Sequence, residues 1–403
     1  MRVLQYIPNS LNVGITADYV TMLTSSLDKY ASVTLTTTFA AFRQSATDST
    51  PDIVHIHGGW SLLAARVLLW AEQKGWPVVL SLHGALMPWQ WHRGTRIPNT
   101  VRRYTFLEKA IREADAIHVS GEMEQHRMEQ LAWNPRIALV HNALITQQTT
   151  PDHMAAEMEK LYQKVIDSNT FRLMTDEEKH AENILLRAGL NSTVESNMEG
   201  VSTLDIAASL RQDLSPLTSP LSFRKILLHA SDEHILDYIR LPLETSSLTL
   251  EETPFTLEKG LECEDRFPQK LQKPDGFLPT DHLTARHALK TKATLDHLRQ
   301  DENPSDTEMS ICHLLLNIQH AMSRATLSRR HLAQLFSLLR WNDYDEDKLQ
   351  RMLHRLHLEP FTASLLQILH ESLDLEIGFM PIEPRDDKNT ARIRQTLKIL
   401  NIQ

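Results

Sequence analysis

Residues 51–88 read PDIVHIHGGWSLLAARVLLWAEQKGWPVVLSLHGALMP, and the hydrophobic period changes twice along them. Asp52–Ile56 and Pro77–Leu82 are short apolar runs without alternation, as in strands covered by helices on both faces. Between them Leu62, Leu63, Val67 and Trp70 recur at helical spacing within Ser61–Lys74. Gly58 and Gly59 punctuate the first junction. The stretch is one βαβ unit of a parallel sheet. Its strands end in His57-Gly58 and His83-Gly84, at the carboxyl edge where open α/β sheets place their ligands.

The same alternation extends in both directions. Arg2–Ile7 and Ser32–Thr38 read as strands separated by a helix over about Thr16–Lys29, and a polar loop, RQSATDST, leads to Pro51. Beyond Pro88 come a helix through Tyr104–Glu113, a strand at Asp115–Ser120, a helix at Glu122–Ala132 and a strand at Arg136–Leu144. The fold class expected is α/β, a doubly wound parallel sheet, followed by a mostly α-helical module. Seven of the 12 glycines and six of the seven tryptophans precede residue 134, and strand-turn-helix punctuation stops at Pro151. We therefore expect a sheet domain over 1–148, a helical and loop-rich connecting region over 149–280, and a helical bundle over 281–403. In the connecting region Thr175 and Glu178 have capping-box spacing. The bundle is expected to hold four or five short helices, with Leu332, Leu335, Phe336 and Leu339 as one apolar stripe and Leu349, Met352, Leu353 and Leu356 as another.

At 403 residues, 41% hydrophobic and 23% charged, the chain has material for two or three domains, each with its own core. Charge divides unevenly. Residues 1–145 hold 13 Lys and Arg against 11 Asp and Glu, which leaves 29 against 40 for the remainder. The first part can meet an anionic ligand, and the acidic remainder argues against nucleic acid. The connection WNDYDED between the two apolar stripes argues against a DNA-reading helix pair for the same reason. Cys263 and Cys312 lie far apart without a CxxC partner, which suggests buried thiols. No apolar run approaches the roughly 18 residues of a membrane span, and MRVLQYIPNS is too poor in apolar residues for a signal peptide. The expected location is cytoplasmic.

Candidate site residues cluster at the strand ends. Asn12 and Gly14 lie in a loop that feeds a helix amino terminus, where backbone N–H groups suit an anionic or polyhydroxyl ligand; a plain βα turn is the alternative. His55 and His57 share one strand face, but no third ligand is in view, so no metal is expected; His55 reads as a core histidine bonded to backbone. His57, Gly58 and Gly59 let the backbone approach a ligand. His83, before Gly84, offers an imidazole to hydrogen-bond a hydroxyl or act as a general base. The segment 87–106 interleaves Arg93, Arg96, Arg102 and Arg103 with Trp89, Trp91 and Tyr104, a composition for a phosphate-bearing ligand or a peripheral membrane contact; a solvated helix packed on the domain is the alternative.

MRVLQYIP, PDIVHIHGGW, PVVLSLHGALMPW, EADAIHVSGEMEQHRMEQL and RIALVHNAL, in this order and spacing, resemble the amino-terminal, acceptor-side domain of family-4 retaining glycosyltransferases over about residues 1–145. The resemblance implies half of a fold of two Rossmann-like domains, with the acceptor on the first and a nucleotide-sugar on the second. It places the loop at Gly14 in the cleft and assigns His83 the catalytic position against the transferred sugar or acceptor. His57, Gly58, Gly59, Gly84 and Arg93 join Asn12 and Gly14 as substrate-binding candidates. The chain departs from the family in its single Gly14 and in His141-Asn142-Ala143 at the end of its last strand. Glu244 and Glu252 have the family's donor-site separation without its Pro and Gly-rich context. The expected function is transfer of a sugar from a nucleotide-sugar, used as donor substrate with no other cofactor, to a glycan or lipid-linked acceptor in polysaccharide or glycoconjugate biosynthesis. The alternative is a non-catalytic descendant that scaffolds a glycan assembly complex, with a protein partner or a second copy bound by the helical module and peripheral contact at the inner membrane face through 87–106.

Overall fold

Short β-branched and apolar runs give six strands: β1 Arg2–Tyr6, β2 Ser32–Thr36, β3 Ile53–His57, β4 Val78–Ser81, β5 Ala116–Val119 and β6 Ile137–Leu139. They form one sheet in the order β2-β1-β3-β4-β5-β6, parallel at every pairing. This is the doubly wound α/β sheet expected from the sequence. The chain is described by a computed structural model over residues 1–91, 99–195, 210, 212–214, 221–245, 249–250, 253–254, 266–268, 273, 276–284 and 289–397. It divides into two units, Met1–Leu173 with Cys263–Lys270, and Met174–Glu262 with Leu271–Gln403.

In the first unit the helices are α1 Gly14–Leu27, α2 Phe39–Asp48, α3 Leu62–Gln73, α4 Pro88–Trp91, α5 Asn99–Arg102, α6 Glu108–Glu113, α7 Glu122–Leu131, α8 Pro151–Asp167 and α9 Thr170–Leu173. Side chains of a strand alternate between faces, so each strand feeds two cores. Val3, Ile53, Val79 and Ala116 pack with Leu23 of α1 and with Met158 and Val165 of α8. Leu4, Val54, Leu80 and Ile117 pack on the other face with Phe42, Leu68 and Ile111. Because strand order reverses between β1 and β3, the switch-point crevice lies at the carboxyl ends of those two strands.

The polar loop expected before Pro51 is instead part of α2. Thr38 caps it, its hydroxyl accepting the Ala41 N–H at 3.2 Å, and Phe42 and Ala46, one helical turn apart, are buried. Phe42 packs edge-on against Tyr6 at 5.8 Å. The strand expected to reach Thr38 therefore stops at Thr36.

The second unit is helical. Its helices are α10 Asp176–Glu195, α11 Phe223–Asp232, α12 Leu236–Thr245, α13 Leu289–Asp301, α14 Asp306–Ser323, α15 Arg329–Trp341, α16 Glu346–Arg355, α17 Glu359–Leu373 and α18 Lys388–Leu397. Among the described residues, six follow residue 281 where four or five were expected, because the mostly polar α13 and α18 escape an apolar-stripe reading. The capping box is present: the Thr175 hydroxyl accepts from Glu178 N at 3.1 Å and the Glu178 carboxylate from Thr175 N at 2.8 Å. Leu332, Leu335, Phe336 and Leu339 are buried together with Leu349, Met352 and Leu353, and Leu356 packs against them. The acidic connection has a structural use. Asp345 caps α16 by accepting Lys348 N at 2.9 Å, with Glu346 and Asp347 in the first turn, where carboxylates complement the helix dipole. Cys312 is buried, and burial pushes its thiol up to about 12; Cys263 and Glu252 lie outside the described residues. Among the described residues no helix is long and apolar enough to cross a membrane.

Candidate functional site at the carboxyl edge of the sheet

The α1 face of the sheet carries a polar row across its hydrophobic middle. Gln5 is in register with His55, His57 with Ser81, and Ser81 with His118. All five side chains are buried. Tyr162 of α8 and Tyr19 of α1 cover the row. The hydrogen-bond directions follow from one end. Only a donor can face the Val140 carbonyl, so His118 Nε2 carries its proton there, at 3.2 Å. His118 Nδ1 then accepts the Ser81 hydroxyl at 2.6 Å, Ser81 Oγ accepts His55 Nε2–H at 2.6 Å, and His55 Nδ1 accepts the Tyr162 hydroxyl at 2.6 Å. With both imidazoles neutral, every hydrogen bond of the row is satisfied in this one direction. Consistently, burial pushes His118 down to about 4 and, with the nearby histidines, holds His55 well below the ordinary histidine value. His55 is thus a core histidine, but its partners are side chains rather than backbone.

The row ends at the strand edge in a second pair. His57 Nδ1 lies 3.1 Å from His83 Nε2, one of the two carrying the shared hydrogen. Their rings are 5.3 Å apart and nearly parallel. Burial, with the neighbouring histidines, holds His57 well below its usual range, and burial pushes His83 down to about 3. Tyr19 stands edge-on to both rings and stacks on His118. His57 Nε2 and the Tyr19 hydroxyl are buried with no hydrogen-bond partner.

Backbone geometry presents His83 to the edge. Leu82–Ala85 is a turn closed by Ala85 N–H to Leu82 O at 3.1 Å, with φ of +50° at His83 and +74° at Gly84. Positive φ at both central residues is the type I′ pattern, which glycine adopts freely and histidine more readily than most side chains. Across the switch point Gly58 has φ +123°, and a Cβ there would lie 2.3 Å from Leu11 Cδ1. The leucine tip can swing aside, so the backbone conformation decides the cost. Gly58→Ala is expected to lose about 1–3 kcal/mol of stability in a urea melt; an unchanged midpoint would show that the turn tolerates a side chain.

The sequence candidates fall into layers. Asn12 and Gly14 are exposed, His83 and Gly84 half-buried, and His57, Gly58 and Gly59 buried behind them. Gly59 is where the β3 and β4 exits touch, since a Cβ would meet the Ala85 methyl at 2.6 Å. Val13 at the N-cap of α1 gives no side-chain cap, which leaves the first-turn N–H groups of that helix open to a ligand. Arg93 and Arg96 lie outside the described residues. Within 87–106, Arg103 lies over the rings of Tyr104 and Trp133 at 4.9 and 4.8 Å and donates to Glu108, a packed role, whereas Trp89 is 62% and Tyr104 70% exposed.

Sequence reasoning missed four members: Ser81, His118, Tyr19 and Tyr162. Strand parity puts Ser81 on one face with Val79 and His118 on one face with Ala116, but only the sheet register joins them to His55, and nothing local marks the two tyrosines. A fifth, Glu124, lies buried at the start of α7. It accepts Gly84 N–H at 2.5 Å and Ser120 N–H at 3.1 Å. Around this polar centre the exits of β1, β3, β4, β5 and β6 expose Val13, Ile15, Leu62, Leu63, Trp89, Met123 and Ile145.

Open parallel α/β domains place their ligands at the carboxyl edge of the sheet, which is where the His57–His83 pair stands. Residues 16–143, within the first unit, match the model of a glycosyl transferase 4-like domain. No curated protein and no solved structure matches the chain. The chain is glycosyltransferase-like over this domain.

Proposed function

We propose that the first unit holds a glycan or lipid-linked acceptor at the exits of β1, β3 and β4, and that the chain transfers a sugar to it from a nucleotide-sugar in polysaccharide or glycoconjugate biosynthesis. The observation that carries this reading is the His57–His83 pair at adjacent strand ends of a domain that matches the glycosyl transferase 4-like model. The low basicity of His83 makes it a hydrogen-bonding group that orients a hydroxyl, since an imidazole protonated only near pH 3 is a poor proton acceptor at neutral pH. The uncapped α1 amino terminus, with Asn12 and Gly14, suits phosphate or hydroxyl oxygens. The apolar side chains around the polar centre favour an amphiphilic acceptor over a free sugar, and Trp89 and Tyr104 suit contact with a membrane surface.

Calorimetric titration with UDP, GDP and their sugar conjugates tests the donor side. Binding supports transfer by the chain, and silence from folded protein removes the donor from it. With a donor identified, His83→Ala is expected to lower the transfer rate by about 10²–10³-fold, the cost of one preorganised hydrogen bond. A variant at full rate would take His83 out of the mechanism.

A second reading is favoured by one observation. Among the described residues the second unit has no parallel sheet to hold a nucleotide, only helices and a two-residue antiparallel ladder. In that reading the chain scaffolds a glycan assembly complex, and the helical unit binds a protein partner or a second copy. A cleft of ≈ 520 Å³ lined by Tyr238, Phe277, Pro279 and Leu338 is the place for such contact. Stable co-purification with a transferase, without transfer by the chain alone, is its expected result.

A further inference from the structure

Between the exits of β4 and β5 lies the Glu124 carboxylate, 6% exposed although it is in the first turn of a surface helix. One oxygen takes the Gly84 N–H and the other the Ser120 N–H, so a single side chain ties the exits of two strands. The Gly84 N–H belongs to the turn in which both His83 and Gly84 are left-handed. A chain free to relax there would return His83 to negative φ, because the left-handed region disfavours a residue with a Cβ. That rotation carries the imidazole away from His57 and Tyr19. A carboxylate is suited to the task because it accepts two N–H groups at once and donates to neither. Burial raises its pKa above the usual carboxylate value, opposed by the Ser120 and Gly84 N–H bonds and by its place at the amino end of α7.

We propose that Glu124 is the positioning residue of the site: its carboxylate holds the His83-Gly84 turn left-handed and thereby sets the His83 ring against His57. The functional weight of this assignment rests on the reading of His83 given above, whereas the conformational claim does not. Glu124→Gln is the matched probe. An amide keeps the shape and one acceptor, but its NH₂ group faces a backbone N–H where the carboxylate offered an oxygen.

The test is an NMR comparison of the full chain, wild type against Glu124→Gln, with His83 assigned by its loss in His83→Asn. In the folded variant we expect the His83 ring nitrogen resonances to shift and broaden and the Gly84 amide proton to move upfield, while the ring signals of exposed His153 stay in place. A Glu124 that only stabilises the fold would lower the melting temperature and leave the His83 signals superimposed, and that result overturns the proposal. Should Glu124→Gln not fold, the wild-type Gly84 amide decides. A proton bonded to a carboxylate this closely resonates far downfield, and an ordinary shift overturns the assignment. Because neither readout uses a sugar or a nucleotide, failure of the calorimetric titration leaves this test standing.

Discussion

Lowering the pH from 7 to 5 is expected to destabilise the sheet unit by on the order of 5 kcal/mol, a large part of a domain's stability. Four histidines, the buried His55, His57 and His118 and the half-buried His83, have folded values below the unfolded 6.5. The sign follows from linkage. Below pH 6.5 the unfolded chain takes up protons that the folded domain refuses, so the stability present above 6.5 is lost as pH falls. The loss continues toward about 4 for His118 and about 3 for His83. Each refused proton is worth about 1.4 kcal/mol per pH unit, so four amount to about 8 kcal/mol over the roughly 1.5 units between 6.5 and pH 5, comparable with the about 5–15 kcal/mol that holds a domain folded. Denaturant melts at pH 7.5, 6 and 5, with proton uptake on unfolding measured at pH 5.5, check this. Uptake of about four protons beyond the carboxylate contribution is expected. A sheet-unit transition that stays put between pH 7 and 5 would mean that water or a counter-charge reaches the row.

In the helical unit the largest single-residue effect is expected at Gly189. A glycine inside a helix usually costs about 1 kcal/mol against alanine, so Gly→Ala should stabilise. Here the sign reverses. A Cβ on Gly189 of α10 would lie 1.7 Å from the Tyr238 carbonyl oxygen and 2.6 Å from its carbon, both backbone atoms of α12. Backbone cannot turn aside as a side-chain tip can, so the two helices must separate along a contact that buries Leu185, Leu186, Leu190 and Ile239. Overpacking costs of about 1–3 kcal/mol are usual, and this one belongs at or above the top of that range. Circular dichroism melts of Gly189→Ala against Gly189→Ser should both show the loss, larger for serine. A stabilised alanine variant would refute the close approach.

The parts of this molecule that were legible in its sequence are those whose cause is local. Unalternated runs such as IVHIH and VVLS gave a parallel sheet, and Thr175 with Glu178 gave a helix start, because the groups involved lie within one element. The helix Phe39–Asp48 was hidden by its polar outer face, with only Phe42 and Ala46 buried. The strand-end histidines could be picked out because glycine follows each of them. What could not be read was their company. Ser81 and His118 meet 37 residues apart and His55 and Tyr162 107 apart, and no spacing rule spans such separations. Glu124 reads as one more exposed helix glutamate until the fold folds it under the His83 turn. The segment around Arg93 lies outside the described residues, and its role rests on composition.

The order in which the ribosome delivers the chain gives the sheet unit an unusual schedule. Phe267 packs into the α1 and α8 core, the Ser168 hydroxyl accepts its N–H at 2.8 Å, and the buried Arg136 donates to the Pro268 carbonyl at 2.9 Å. Both residues emerge only after Leu173 and after α10, α11 and α12 have been made. At about 5–20 residues per second, the nascent sheet therefore waits on the order of 5–20 s for its last piece. Throughout that interval its core is open at one place, which is the window in which a chaperone would find it.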